Sequence, residues 1–172
     1  MELNATGWSK QDHIVLAVST GIDSMCLLHL LLNEYQHTYS KLTCIHINHG
    51  LRQASIEEEA FFKTYCEEHG IEYYIKRLDL SETVEAGNSI QNISRQYRYE
   101  WFDYIMKQLG ASVLLTAHHR DDQIETIFYR LFTGRFTRSH LGIAYTSQRI
   151  SYQLVRPMLD ISKATIKSYQ NQ

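Results

Sequence analysis

The sequence predicts a doubly wound α/β fold, with a mainly parallel five-stranded sheet and helices on both faces of that sheet. Short apolar runs rich in β-forming residues recur along the 172 residues, and segments with helical spacing separate them, as expected for strands buried on both faces. Clusters of polar residues follow the ends of these runs, which is where ligands bind in folds of this class. No internal repeat or low-complexity linker interrupts the pattern, so we expect one domain over residues 1–172.

Each predicted element corresponds to one of these runs or segments. The strands are expected at 13–18, 42–48, 72–78, 112–117 and about 150–156. The helices are expected at 22–36, 54–69, 88–109, 121–133 and 161–170. The third helix has a capping-box pattern at Asn88 and Gln91. Its apolar positions at helical spacing, expected to face the sheet, are Ile90, Ile93, Tyr97, Trp101, Tyr104 and Ile105.

The composition is that of an ordinary globular protein, with 44% apolar and 21% charged residues. There is no run of 18 apolar residues and no basic segment followed by an apolar core at the N-terminus, so we expect no membrane span and no signal peptide. Three widely spaced cysteines indicate free thiols and a cytoplasmic location. The formal net charge of −2 does not suggest a nucleic-acid binder. A role on RNA must therefore rest on a local patch or on sequence outside this chain.

The strongest candidate for a binding site is the loop of residues 19–24, between the first predicted strand and the first predicted helix. It resembles the pyrophosphate loop of the ATP pyrophosphatases and is called the pyrophosphate loop below. Backbone N–H groups at a helix N-terminus bind anions, and small side chains let phosphate approach them. A carboxylate in such a loop repels phosphate unless a divalent cation lies between them, so Asp23 predicts a magnesium-bound nucleotide. The pattern is neither a Walker A motif nor a dinucleotide fingerprint. The alternative is a plain strand-to-helix turn. The residues expected to bind the nucleotide here, which the resemblance implies is ATP, are Ser19, Thr20, Gly21, Ile22, Asp23 and Ser24.

A second cluster, residues 118–126, follows the fourth predicted strand. Asp122 and Glu125 are three residues apart, so on a helix they share one face, where they could hold either a metal or an ammonium group. His118 and His119 could contact phosphate or be oriented by the carboxylates. A structural zinc is an alternative, but the zinc-protease spacing and a nearby cysteine are both missing. Acidic residues that complement the helix dipole explain the carboxylates but not the paired histidines.

Two arginines of the third predicted helix, Arg95 and Arg98, lie three residues apart and off the apolar stripe. They could reach a site at the edge of the sheet and balance the charge of phosphates. The alternative is a solvated flank of the helix.

Taken in order, these motifs resemble the N-terminal synthetase domain of the tRNA(Ile)-lysidine synthetase family, which belongs to the ATP pyrophosphatases. The resemblance covers about residues 13–170 and implies an adenine nucleotide alpha hydrolase-like fold. Two departures are Thr20, where the loop usually has glycine, and segment 134–142, where Phe136 and His140 replace small residues. The matching segments are 19–24, 46–52, 92–99, 116–126 and 156–159.

The resemblance implies a carbon–nitrogen ligase that uses ATP and Mg²⁺. ATP would adenylate the C2 oxygen of the wobble cytidine in the CAU anticodon of tRNA(Ile), and the amine of free lysine would then displace AMP to give lysidine. The implied catalytic residues are Asp23, Arg98, His118, Asp122 and Glu125. The implied metal ligand is Asp23, the implied lysine-binding pair is Asp122 and Glu125, and His46 and Asn48 join the loop in ATP binding. Further tRNA-binding domains are expected outside this chain.

Two other functions stay open at this point. A tRNA cytidine thiolase would share the fold, but a Cys-x-x-Cys pair is absent. A nucleotide-binding regulatory module without catalysis would not need the carboxylate pair at Asp122 and Glu125.

Overall fold

The computed structural model describes residues 1–50, 54–78, 90–135 and 141–171. Its centre is a six-stranded sheet with the strand order β3-β2-β1-β4-β6-β5. The strands are β1 (His13–Ala17), β2 (Lys41–Asn48), β3 (Glu72–Arg77), β4 (Val113–Leu115), β5 (Thr146–Gln148) and β6 (Gln153–Val155). The α-helices are α1 (Ile22–Asn33), α2 (Ala54–Glu68), α3 (Ile90–Leu109), α4 (Arg120–Thr133) and α5 (Lys163–Gln170).

The parallel part of the sheet confirms the predicted fold class. Strand β1 pairs in parallel with β2 on one side and with β4 on the other, and β3 and β6 extend the sheet in the same direction. The strand order therefore reverses between β1 and β4. In doubly wound folds this reversal opens a crevice at the carboxyl ends of the strands, where ligands bind.

The sixth strand was not predicted. Strand β5 runs antiparallel to β6 at the edge of the sheet, with Ser147 opposite Leu154. Its three residues, Thr-Ser-Gln, are polar and at least partly exposed, so they have none of the apolar alternation by which strands are predicted. The sheet has six strands in place of the expected five.

Apolar residues cover both faces of the sheet, as predicted. Along β1, Ile14 and Leu16 pack on one face with α1, α2 and α5. Val15, between them, packs on the other face with α3. This alternation follows from the pleat of a strand, whose successive side chains point to opposite faces. Two hydrophobic cores therefore hold the strand ends in fixed positions.

Helix α3 lies where it was predicted, and its apolar stripe is only partly correct, because Ile105 is buried and Trp101 packs on the core while two tyrosines do not. Phe102, Ile105 and Met106 are buried, whereas Tyr97 and Tyr104 of the predicted stripe are 44% and 59% exposed. Tyrosine counts as apolar in a periodicity analysis, yet its hydroxyl group favours a wet position. The capping-box pattern at Asn88 and Gln91 lies outside the described part of the chain.

All three cysteines are free thiols buried in the core on the α1 face of the sheet. None of the described helices is both long and apolar enough to cross a membrane.

Candidate active site

The main candidate site, the central cleft, lies at the carboxyl ends of β1 and β4, where the strand order reverses. It has a volume of about 220 Å³. The loops after β1 and β4, the end of β2 and one side of α3 all contribute to its walls. The polar residues that line it are Ser19, Asp23, Ser24, His49, Arg98, Tyr99, Thr116, His118 and Asp122. The two main polar clusters predicted from the sequence, residues 19–24 and 118–126, thus both contribute residues to this edge of the sheet.

The pyrophosphate loop is held closed by its own hydroxyl groups. The Ser24 side chain accepts a hydrogen bond from the Ser19 N–H group at 3.1 Å and donates to the Gly21 carbonyl at 3.1 Å. Gly21 is the N-cap of α1 and provides no side-chain cap. The first-turn N–H groups of α1 therefore have no side-chain cap from their own N-terminus, which is the arrangement that binds an anion.

Thr20 carries the backbone strain of this loop. Its φ angle is +62°, and it is the one non-glycine residue with positive φ in the described part of the chain. The left-handed region is costly for a β-branched residue. The Thr20 hydroxyl donates to the Ser19 carbonyl at 2.6 Å, which offsets part of that cost. The glycine usual at this position would adopt the same angle without strain.

We expect Thr20→Gly to raise the free energy of unfolding by about 0.5 to 1 kcal/mol, since relief of strain exceeds the added entropy of the unfolded chain. Urea denaturation of both proteins measures this difference. The control is Thr20→Ala, which removes the hydroxyl but provides no glycine freedom and is expected to give no gain. A Thr20→Gly protein less stable than the original would show that the hydroxyl contributes more than the strain costs.

His119 links the two halves of the cleft. It is buried and is the N-cap of α4, and its Nδ1 accepts a hydrogen bond from the Asp121 N–H group at 3.2 Å. In the neutral ring the proton is therefore on Nε2. This atom lies 3.5 Å from a carboxylate oxygen of Asp23 and 3.5 Å from one of Asp122. The His119 ring thus lies between the two acidic groups, a position that the sequence did not distinguish from that of His118.

Lys163, at the start of α5, is a site residue that the sequence analysis missed. Its Nζ atom lies 2.5 Å from Oδ1 of Asp23, and its backbone N–H group donates to Asp121 at 3.2 Å. A lysine in the first turn of a helix opposes the helix dipole, so its position there was a signal that a carboxylate lies opposite. The matched segment 156–159 stops four residues before it.

The predicted lysine-binding pair is only partly assembled. Asp122 lines the cleft and accepts a hydrogen bond from the His119 N–H group at 2.8 Å. Glu125 lies one turn later on α4 and is exposed. It does not line the cleft, and its carboxylate is open to solvent.

His118 lines the cleft, and its Nδ1 is 2.9 Å from the Thr116 hydroxyl. Burial lowers the pKa of His118, and the nearby charge of Arg156 lowers it further, so the ring is neutral at pH 7. His49 also lines the cleft, and burial lowers its pKa as well. Arg98 brings a guanidinium to the same wall, whereas Arg95 points to a different cleft beside it.

His46 and Asn48, expected to bind ATP, are buried and do not line the central cleft. The Nδ1 atom of His46 is 2.8 Å from the Val18 carbonyl. The Asn48 amide donates to Glu59 at 2.7 Å and accepts from the Gly50 N–H group at 2.8 Å. The structure gives both side chains the role of fixing strand ends and the turn after β2. Leu51, Arg52 and residues 136–140 of the 134–142 segment lie outside the described residues.

Comparison with known families identifies the domain. The family model described as a PP-loop domain matches residues 2–172. The chain belongs to the PP-loop domain family. The central cleft of this PP-loop domain is formed by the pyrophosphate loop, the end of β4 and one side of α3.

Several curated relatives are similar over nearly the whole chain. A tRNA(Ile)-lysidine synthase from Staphylococcus epidermidis is 63% identical over 170 residues, and one from Staphylococcus aureus is 59% identical over 170 residues. Both alignments cover 99% of this chain but 39% of the relative. The chain thus spans about two fifths of the length of these relatives.

A solved structure agrees with the fold at low sequence identity. The U34-tRNA thiolase from Methanococcus maripaludis, described with its 4Fe–4S cluster, superposes with a TM-score of 0.76 at 16% identity. The match covers 98% of this chain and 59% of the thiolase. It supports the PP-loop fold of the chain and, at this identity, the fold alone.

Proposed function

We propose that this PP-loop domain catalyses ATP-dependent formation of lysidine on the wobble cytidine of a tRNA(Ile) with a CAU anticodon. In the first step the cytidine C2 oxygen attacks the α-phosphorus of ATP, and the bond to pyrophosphate breaks. In the second step the side-chain amine of free lysine bonds to C2. The C2–O bond breaks, AMP leaves with that oxygen, and the amine loses its protons.

The observation that carries this proposal is the 63% identity to a tRNA(Ile)-lysidine synthase over 170 residues. The aligned region covers 99% of this chain and so includes both polar clusters that form the central cleft. The geometry supports the same conclusion, because one cleft contains the N-terminus of α1, the carboxylates of Asp23 and Asp122, and the guanidinium of Arg98.

Asp23, by binding Mg²⁺, and Lys163 would stabilise the negative charge of the pyrophosphate leaving group. Mg²⁺ in nucleotide sites is usually bound by one or two carboxylates together with substrate phosphates, and Asp23, the acidic residue of the pyrophosphate loop, fits that role. Within the described ranges, no three His, Cys, Asp or Glu side chains cluster as a metal site, so phosphate oxygens would complete the shell. When bound, the ion would neutralise charge that develops on pyrophosphate. Lys163 holds Asp23 in place and adds a second positive charge.

Asp122 and Glu125 would position the amine of lysine. Asp122 is fixed by the His119 N–H group, while Glu125 is free to turn toward a ligand. Their carboxylates attract the ammonium group and can accept the proton that the amine must lose before it attacks. Neutral His118 can accept a hydrogen bond in the cleft, and Arg98 would balance phosphate charge.

Free lysine and tRNA(Ile) are the partners in this proposal, and the cytoplasm is the proposed location, because both substrates occur there and the three thiols are free. The thiolase alternative would need cysteines at the nucleotide site. Cys26, Cys44 and Cys66 lie in the core instead, and none of them lines the central cleft.

The test is a pyrophosphate-release assay with ATP, lysine and an RNA stem-loop that has a CAU anticodon. Release is expected to need the CAU stem-loop and to be followed by AMP formation only when lysine is added. The control RNA has uridine at the wobble position and is expected to be inactive. ATP binding without pyrophosphate release would favour a regulatory module, and AMP formation that needs sulfide in place of lysine would favour a thiolase.

A further inference from the structure

A second cleft, the arginine cleft, lies beside the central cleft and is lined by three guanidinium groups. It has a volume of about 420 Å³ and lies between α3 and the β5–β6 hairpin. Arg95 comes from α3, Arg149 from the turn between the two strands, and Arg156 from the end of β6. The strand that sequence analysis missed therefore helps to build one wall of this cleft.

Tyr99 joins the two clefts and is covered by arginine. Its ring lies 5.3 Å from the Arg95 guanidinium carbon and 4.9 Å from that of Arg149, within the range of cation–π contacts. Tyr99 also lines the central cleft. A ligand that fills the central cleft and contacts Tyr99 thus lies next to Arg95 and Arg149 of the arginine cleft.

The positive charge of the arginine cleft exceeds the negative charge that the described residues provide. Asp103 accepts hydrogen bonds from Arg149 at 2.7 and 3.2 Å. Neither Arg95 nor Arg156 forms an ion pair in the described part of the chain. Charged groups are rarely left without an opposite charge when buried.

Arg156 is the clearest sign of a missing anion. Arg156 is only 8% exposed, and this burial lowers the pKa of its guanidinium group. One terminal nitrogen donates to the Ala144 carbonyl at 2.6 Å and to the Ser147 hydroxyl at 3.0 Å. Its buried Nε atom has no hydrogen-bond partner among the described residues. A buried guanidinium that binds only neutral acceptors is ready to accept an anionic ligand.

We propose that the arginine cleft binds the phosphodiester backbone of the RNA substrate next to the nucleotide in the central cleft. The choice of RNA rests on the proposed function. A cytidine in the central cleft is covalently joined to phosphates on both sides, and Tyr99 lines both clefts, so a flanking phosphate can reach the arginine cleft. Planar guanidinium forks suit phosphate oxygens, and an open cleft of this volume suits a chain of nucleotides. The net charge of −2 makes this local excess of arginine more notable.

The test measures RNA affinity of the chain by fluorescence anisotropy, with a labelled CAU anticodon stem-loop at about 50 mM salt. Arg95→Gln is the informative variant, because Arg95 is exposed and has no described ion pair. We expect it to weaken RNA binding about three- to tenfold and to lower the slope of log affinity against log salt by about 0.7. The affinity for ATP is expected to stay unchanged. The matched control is Lys107→Gln, an exposed lysine at the far end of the same helix.

The outcomes separate this inference from the proposed function. If Arg95→Gln and Lys107→Gln bind RNA with equal affinity, the arginine cleft does not bind the RNA backbone. Undetectable RNA binding by the unaltered chain at roughly 100 µM protein would also overturn the inference. If Arg95→Gln raises the lysine requirement and leaves RNA binding unchanged, the cleft binds the lysine carboxylate and the inference is wrong. Arg95-dependent RNA binding without lysine-dependent AMP formation would support the RNA surface and reject lysidine formation.

Discussion

Replacement of Asp23 by alanine is expected to lower the rate of pyrophosphate release by a factor of roughly 100 to 1,000. Asp23 is the acidic residue of the pyrophosphate loop and contacts both Lys163 and His119. Its loss removes the carboxylate proposed to bind the metal–nucleotide and leaves Lys163 without its described ion-pair partner. Initial rates at saturating ATP and magnesium measure the effect.

Two further variants make the Asp23 result specific. Asp23→Asn keeps the shape of the side chain and loses the charge, so it is expected to lose a similar factor. Asp160→Ala removes an exposed aspartate outside the cleft and is expected to have nearly normal activity. Near-normal turnover of Asp23→Ala at saturating magnesium would remove Asp23 from the mechanism.

The second large effect is expected for Glu125→Gln, which should raise the lysine concentration for half-maximal AMP formation about ten- to a hundredfold. The substitution keeps the shape of an exposed side chain and removes a charge proposed to hold an ammonium group. It is a cleaner test than Asp122→Asn, because Asp122 also accepts the His119 N–H group at the start of α4. The control is Glu68→Gln, an exposed glutamate at the end of α2.

The rival role for these carboxylates is metal binding. If Glu125→Gln loses magnesium-dependent ATP binding while its lysine dependence is unaltered, the pair is a metal site and the assignment is wrong. Measurement of both dependences on the same protein decides between the two roles.

Apolar patterning was sufficient to predict the architecture around the site. Strands β1 and β4 are short and mostly apolar, so their positions, and those of the loops that follow them, could be predicted from the apolar runs. Strand β5 could not, because three polar residues at a sheet edge depend on pairing with β6 and not on burial. Two members of the predicted α3 stripe, Tyr97 and Tyr104, were wrong for a related reason, since they are aromatic but exposed to water.

The side-chain contacts of the site depend on elements that are distant in sequence. Lys163 reaches Asp23 across 140 positions, so no local pattern identifies Asp23 as its partner. His119 and His118 are neighbours in sequence, yet one is a buried helix cap and the other lines the cleft. His46 and Asn48 lie in a matched motif but are buried in strand-end contacts. Motifs thus located the cleft, while packing determined which of their residues line it.

In the proposed reaction, one cleft joins lysine to cytidine and converts ATP to AMP and pyrophosphate. Mass spectrometry of nucleosides, after incubation of the chain with ATP, isotopically labelled lysine and a CAU stem-loop, tests it directly. The predicted result is a labelled nucleoside whose mass equals cytidine plus lysine less one water, absent when the wobble base is uridine. Unmodified cytidine after ATP has been consumed, or a wobble base that contains sulfur, would contradict the claim.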